Sequence, residues 1–262
     1  MKDFVLENEK ILDEWKKSNE SHGEFNFAPD GIMYRGDICD YGTWKERNPS
    51  EFNKKENISW TDAPLRILFL TKDQNAGAEE AWDVRGEIGN LSVLFHRNLM
   101  YLLYGLIMTK CGVKADYNFT NEEALNVYNT YPFARINAKK EAGCSSVSND
   151  TLRYYLERDH QFLKKQILNL SPDIIVCCGY SKNVEDSGNL LLNFLNNHCG
   201  LHLERQDENN WLYYDESQNI VAIDNFHLSY CGYSSEDMYS GAIGAYSDFV
   251  NAHPTFCLNH RL

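Results

Sequence analysis

The segment Leu65–Gly77, LRILFLTKDQNAG, joins an apolar run to a cluster of polar residues. Its first part, Leu65–Leu70, has the length and composition of a β-strand that is buried on both faces. A lysine, an acid and two amides follow directly, in Lys72–Asn75. In a parallel sheet the ligand crevice lies at the carboxyl ends of the strands. The segment therefore predicts a core strand that ends at a functional site.

Strands and helices alternate along the rest of the chain. This order predicts a largely parallel sheet within an α/β layered domain. The predicted strands are Tyr131–Asn137, Asp173–Cys178, Trp211–Asp215 and Asn219–Asp224. The predicted helices are Leu91–Thr109, Thr151–Leu170, Asn189–His198 and Ser235–Asn251.

The N-terminal part of the chain departs from this alternation. Residues 1–17 are too charged for a signal peptide and predict an amphipathic helix. Residues 21–62 are rich in Gly, Pro, Asn, Asp and aromatic residues, and we expect irregular structure laid over the core. We predict a single domain, 1–262, whose α/β core spans 63–255. The predicted buried side of the first helix consists of Phe4, Ile11, Leu12 and Trp15.

Composition limits the classes of function. The chain of 262 residues is 43% hydrophobic, enough for one sizeable core. No apolar run approaches the ~18–20 residues that a membrane-spanning helix needs, so we expect a cytoplasmic protein with no membrane contact. The formal net charge of −13 disfavours a protein that holds nucleic acid mainly through its phosphates, although a local basic patch would still permit it. The sequence does not indicate an oligomeric state.

The eight cysteines predict neither disulfides nor a metal centre. None forms a C-x-x-C pair, and Cys177 and Cys178 lie inside an apolar run, where free cysteine behaves as a small buried hydrophobe. The spacings support neither zinc nor an iron–sulfur cluster. Apart from His227, the histidines of the chain, His96 among them, show no ligand spacing and are interpreted as structural. We therefore expect no metal and no cofactor.

Polar residues follow the later strands as well. Asn137, Lys139 and Lys140 come at the end of the second predicted strand, and His227 and Ser229 come after the last. Together with the acid of the first loop, they provide the groups needed for general acid–base chemistry on a polar, planar ligand.

The order of these motifs resembles the uracil-DNA glycosylase superfamily. LFLTKDQN stands where that family has an apolar strand and an acid-bearing loop, and RINAKK provides an Asn-x-x-Lys spacing. SPDIIVCCG is similar to the family's third strand, and NFHLSY stands at its His-Pro-Ser loop. The resemblance covers about Leu65–Asn251. It implies a three-layer αβα sandwich with a short central, mainly parallel sheet, and an N-glycosidase (a hydrolase) that releases a base from DNA or from a nucleoside-like ligand.

The resemblance also implies roles for particular residues. Asp73 corresponds to the acid that orients water, and Asn137 to the amide that reads the base. His227 corresponds to the histidine that stabilises the departing base, and Ser229 to a serine that approaches a phosphate. The further candidates for substrate binding are Asn75, Lys140 and two aromatic residues for stacking on the base, Trp82 and Phe95.

These residue types suit the chemistry without reference to the family. Cleavage of an N-glycosidic bond builds positive charge on the sugar and negative charge on the base. A carboxylate stabilises the first and a histidine N–H donor the second, and such preorganised charge is usually the largest contribution to catalysis. An asparagine offers both a donor and an acceptor to a pyrimidine edge.

Each residue also has a structural interpretation. Asp73 could cap a turn, Asn137 could end a strand, and His227 could be a core histidine bonded to a backbone carbonyl. Lys139 and Lys140 could simply be solvated. The alternative function is a catalytically inactive module on the same fold that binds a nucleotide, a nucleic acid or a protein. A hydrolase of another α/β class is a third possibility, although the chain lacks a G-x-S-x-G elbow.

Overall fold

The computed structural model describes residues 2–34, 36, 40–74, 81–110, 112–143, 147–181, 188–207 and 211–255. Within these segments the chain folds as an α/β protein, with helices around a mixed central sheet. The strands are β1 (Gly31–Met33), β2 (Ile67–Thr71), β3 (Phe133–Asn137), β4 (Ile174–Ser181), β5 (Gly188–Asn189), β6 (Glu204–Arg205), β7 (Leu212–Asp215) and β8 (Ile220–Phe226). The helices are α1 (Phe4–Ser21), α2 (Tyr41–Glu46), α3 (Pro49–Asp62), α4 (Leu94–Met108), α5 (Asn121–Thr130), α6 (Asn149–Arg158), α7 (His160–Leu170), α8 (Leu190–His198) and α9 (Ser235–Ala252).

The sheet is parallel at its centre and antiparallel at its edges. Its strand order is β1-β3-β2-β4-β8-β7-β6, with β5 beside β4. Strands β3, β2, β4 and β8 run parallel, whereas β1, β5, β6 and β7 pair antiparallel with their neighbours. The expected parallel pairing is therefore confirmed for the four central strands, whereas the sheet as a whole is mixed. One reason is the short turn 216–219 between β7 and β8, since so short a connection can join only antiparallel strands.

Helices cover both faces of the sheet. Along β2, Ile67 and Phe69 point into an apolar cluster with α4, α5 and α9. The alternate residues Leu68 and Leu70 point into a second cluster with α1, α6, α7 and α8. Because side chains alternate between the faces of a strand, burial on both sides requires the uninterrupted apolar run seen in the sequence.

The N-terminal helix is confirmed as α1, with all four residues of its predicted apolar side buried. Residues 21–62, however, are not irregular throughout, since they contain β1, α2 and α3. The side chains of Asp40 and Asn48 cap α2 and α3. The Asn and Asp content that suggested loops thus includes helix caps, where these residues are favoured. Trp60 is fully buried and donates its indole N–H to the carbonyl of Leu170, which holds α3 against the end of α7.

Two further helical segments differ from expectation. The predicted helix Thr151–Leu170 is divided at Asp159 into α6 and α7. Helix α5 was not predicted, although Thr120 and Glu123 begin it with a capping box. The remaining predicted strands and helices are confirmed, with ends shifted by three residues or fewer.

The prediction that Cys177 and Cys178 are buried in the core is confirmed, since both side chains lie on β4 and are fully buried. Across the described segments, every helix is too short or too polar to cross a bilayer.

A candidate active site at the carboxyl ends of the central strands

A pocket of about 410 Å³ opens where the central parallel strands end. The loop after β2 contributes Lys72 and Asp73, and the loop after β8 contributes His227 and Ser229. The start of α4 adds Phe95 from above the same edge. The sheet therefore brings together loops that are far apart in sequence, as expected for an open α/β fold.

The structure brings most of the predicted site residues to this pocket, but not all of them. Asn137 and Lys140 do not line it. Asn75 lies outside the described residues. The predicted residues that line the pocket are Asp73, Trp82, Phe95, His227 and Ser229.

Asp73 is a carboxylate withdrawn from solvent, with only 9% of the residue exposed. Its Oδ2 atom is buried and has no hydrogen-bond partner among the described residues. Burial raises the pKa of this carboxyl, while attraction from Lys139, Lys72 and Arg135 opposes the rise. Asp73 thus lines the pocket with one carboxylate oxygen that none of the described residues uses.

His227 is a neutral hydrogen-bond donor at neutral pH. The backbone N–H of Ser229 donates to its Nδ1 at 3.2 Å, so the proton of the neutral ring is on Nε2. Burial, together with repulsion from Lys72 and Arg135, lowers the pKa of His227 to about 4. The structural interpretation of His227 predicts a hydrogen bond to a backbone carbonyl, whereas the partner at Nδ1 is the backbone N–H of Ser229. The ring lies 5.8 Å from that of Phe95, centroid to centroid.

Trp82 is held firmly as one wall of the pocket. The side-chain amide of Gln74 donates to the carbonyl of Trp82 at 2.9 Å and accepts from its backbone N–H at 3.3 Å. The indole N–H of Trp82 donates to Glu87 at 2.8 Å. Gln74 follows the candidate acid directly, so the polar loop after β2 both supplies Asp73 and positions an aromatic wall.

Three titratable residues of the pocket were not predicted as site residues from the sequence: Glu87, His96 and Arg135. Arg135 forms an ion pair with Glu87, and its guanidinium carbon lies 4.4 Å above the ring of Phe95. A signal was present, because an arginine inside a strand buried on both faces is unusual without a partner. The absence of a metal-ligand spacing indicates a structural role for His96, but such a spacing does not detect a histidine that contacts a single carboxylate.

Glu87 is fully ionised near neutral pH. Burial alone would raise the pKa of its carboxyl, but attraction from Arg135 and the hydrogen bonds from His96 and Trp82 outweigh burial. The resulting pKa is about 2. Within the described lining, the cations Lys72 and Arg135 are thus matched by the carboxylates of Asp73 and Glu87, so this lining is not a local basic patch of the kind that would favour phosphate binding.

Asn137 is fully buried and does not line the pocket. The hydroxyl of Thr71, on the neighbouring strand β2, donates to its Oδ1 at 2.6 Å. Its Nδ2 has no hydrogen-bond partner among the described residues. The side chain that resembles a base-reading amide therefore has one of its two functional groups occupied by the protein itself.

Lys140 belongs to the interior and not to the site, and it is not solvated either. Its ammonium contacts both carboxylate oxygens of Asp30, at 2.6 and 2.7 Å, and donates to the carbonyl of Asn137 at 2.8 Å. Lys139 is also buried and donates to the carbonyl of Glu141. The Asn-x-x-Lys spacing was misleading because the partner of Lys140 lies 110 residues earlier in the chain.

Among the described residues, no group of three or more His, Cys, Asp or Glu side chains is arranged to hold a metal ion. The chain matches no protein-family model, and no curated protein or solved structure matches it.

Proposed function

We propose that this chain is a divergent uracil-DNA glycosylase-like protein that hydrolyses the N-glycosidic bond between a nucleobase and its sugar. The proposal includes the finer fold, a three-layer αβα sandwich of the glycosylase type. The observation that carries it is the meeting of Asp73 and His227 in one pocket with Trp82 and Phe95. The pocket volume, about 410 Å³, lies within the ~300–1,000 Å³ typical of small-molecule sites.

The reaction assigns one task to each of the two polar groups. Asp73 accepts a hydrogen bond from water and takes its proton as the oxygen bonds to C1′ of the sugar. The bond from C1′ to the base nitrogen breaks, and its electron pair leaves with the base. The Nε2–H of His227 donates a hydrogen bond to a carbonyl oxygen of the departing base, where the negative charge collects. The base then takes up a proton, and the products are the free base and the sugar bearing a hydroxyl.

The electrostatics of the pocket support these tasks. A neutral histidine donates a hydrogen bond to an anion and keeps its proton, whereas a protonated histidine can transfer its proton to the anion. A desolvated carboxylate is a stronger base than one in water, and its negative charge also favours the cationic sugar. The aromatic rings of Trp82 and Phe95 offer flat apolar surfaces for a base.

A small nucleobase-containing ligand or an unpaired base suits the site better than duplex DNA does. The charged groups of the lining are balanced, and the whole chain carries a net charge of −13. High affinity for a duplex depends mainly on neutralising its phosphates with cationic side chains.

A binding module without catalysis is the alternative, and one observation favours it. Asn137 does not line the pocket, and its Oδ1 is already bonded to Thr71. A site without its base-reading amide keeps the aromatic walls and the donor on His227, which can hold a flat ring, but it lacks the group that would orient the base for hydrolysis of its bond.

The direct test is release of free base from defined substrates. We would incubate the purified protein with uracil-containing single-stranded and duplex oligonucleotides and with a panel of nucleosides. Free base would be separated by chromatography, and abasic sites in the oligonucleotides would be cleaved with alkali. We expect release from nucleosides or single strands in preference to duplexes.

The matched controls are Asp73→Asn, which keeps the shape of the side chain, and His227→Gln, which keeps a donor. Asp73→Asn should reduce base release by about 10²-fold or more, in the range of acid–base contributions. His227→Gln should retain more activity than His227→Ala. No release from any substrate by the wild-type protein would reject the enzyme proposal, and binding of a base without release would support the alternative.

A further inference from the structure

Glu87 connects three sides of the pocket through a single carboxylate. It accepts a hydrogen bond from the indole N–H of Trp82 at 2.8 Å and from the guanidinium of Arg135. Its Oε2 also lies 3.4 Å from Nε2 of His96 at the start of α4. These partners come from the segment after β2, from β3 and from α4, and only 12% of the Glu87 side chain is exposed.

This arrangement holds both aromatic walls in place. Trp82 is fixed at its indole by Glu87 and at its backbone by Gln74. The guanidinium of Arg135, oriented by the same carboxylate, covers the ring of Phe95. Walls held in this way lose little freedom when a flat ligand enters, so less of the binding free energy is spent on ordering them.

Glu87 also sets the charge of the pocket. Without it, Arg135 would be a buried cation beside His227, and Asp73 would be the only acid in the described part of the lining. With it, the two cations and the two carboxylates balance. A partly desolvated site without net charge does not attract an anionic ligand, so it does not compensate the hydration free energy that the anion loses on binding. An uncharged ring loses less hydration free energy when it leaves water.

We propose that Glu87 is a positioning residue that orients the two aromatic walls and neutralises Arg135, so that the pocket selects an uncharged planar heterocycle over an anionic one. The inference rests on the proposed function only in taking a nucleobase as the ligand class. It does not require that the bond be hydrolysed.

The test compares two probes that share one ring, uracil and its 6-carboxylate, orotate. Their dissociation constants at neutral pH would be measured by calorimetry for the wild type and for Glu87→Gln. The control is Glu24→Gln, because Glu24 also accepts from an arginine and an aromatic side chain, Arg158 and Tyr155, and does not line the pocket.

We expect the wild type and the control to prefer uracil. In Glu87→Gln, binding of uracil should weaken while binding of orotate strengthens, and the ratio of the two constants should change by about tenfold or more, as a unit charge in a partly desolvated site allows. Arg135→Gln removes the opposite charge, so it should shift the ratio in the other direction. This second variant decides the question if Glu87→Gln does not fold.

A purely structural role would weaken both probes equally in Glu87→Gln and would overturn the proposal. A wild-type protein that binds orotate as tightly as uracil, or binds neither, would overturn it too. If uracil is preferred and the ratio changes as expected while no substrate releases its base, the hydrolase proposal fails and this inference stands.

Discussion

The buried pair of Lys140 and Asp30 should be needed for the fold and not for the pocket. Neither side chain has any exposed surface. The substitution Lys140→Met keeps most of the side chain's length and removes its charge. The carboxylate of Asp30 would remain buried, with only neutral donors in place, namely the backbone N–H of Asn137 at 2.7 Å and the amide of Gln166 at 2.9 Å.

The expected loss follows from that geometry. Removing one partner of a buried ion pair usually costs ~3–5 kcal/mol, because an uncompensated charge stays behind. The two neutral donors offset part of this cost, so we expect the free energy of unfolding to fall by about 3 kcal/mol. The double substitution Asp30→Asn with Lys140→Met removes both charges and should recover about 1–3 kcal/mol, the usual range for coupled neighbours.

Urea denaturation measures these differences, with an unchanged slope showing that the unfolding transition is the same. Lys165→Met is the control, since the ion pair of Lys165 with Glu14 is exposed and should contribute less than about 1 kcal/mol. Uracil binding would be measured on each folded variant. A Lys140→Met protein as stable as the wild type that had lost uracil binding would refute this reasoning and restore the ligand role suggested by the Asn-x-x-Lys spacing.

Titration in the interior and packing at the pocket wall lead to three further expectations. Base release should fall as the pH drops toward 4, where His227 gains a proton, and should stay level above neutral pH; protonation of Asp73, whose pKa is raised by burial, acts in the same direction, and a pH–rate profile measures the sum. Burial raises the pKa of Glu56 to about 8, so its ionisation in the unfolded chain should lower the free energy of unfolding between pH 5 and pH 8 by about 2–4 kcal/mol relative to Glu56→Gln, as urea titrations would show. Gln74→Ala should free the backbone of Trp82, weakening uracil binding severalfold in calorimetry and lowering stability by about 1 kcal/mol.

Two of these expectations have a matched control variant. Glu51→Gln alters an exposed carboxyl and should not change the pH dependence of stability, and Gln218→Ala alters an exposed amide and should leave uracil binding unchanged. A rate that declines on raising the pH through neutrality would contradict the neutral-donor role of His227. Equal pH dependence in wild type and Glu56→Gln would show that Glu56 ionises freely in the folded protein.

Much of the fold could be predicted from the sequence because its signals are local. The apolar run of β2 and the helical periodicity of α1 each reflect which faces of a single element are buried. The edges of the sheet could not be predicted in the same way. The short strands β1, β5 and β6 have little pattern of their own, and their place in the sheet depends on which neighbour they meet.

The candidate site could likewise be predicted only in part from the sequence. By itself the sequence determined that Asp73, His227 and Ser229 would meet, because residues that follow parallel strands collect at one edge of a sheet. Only the tertiary structure decided that Lys140 belongs to Asp30 and Arg135 to Glu87, partners separated by 110 and 48 residues. Ion pairs form between groups that are close in space, and the separation of two residues along the chain does not indicate whether they will meet. The polar half of LRILFLTKDQNAG could therefore be predicted as part of a candidate site, whereas the partners of Arg135 and Lys140 could not.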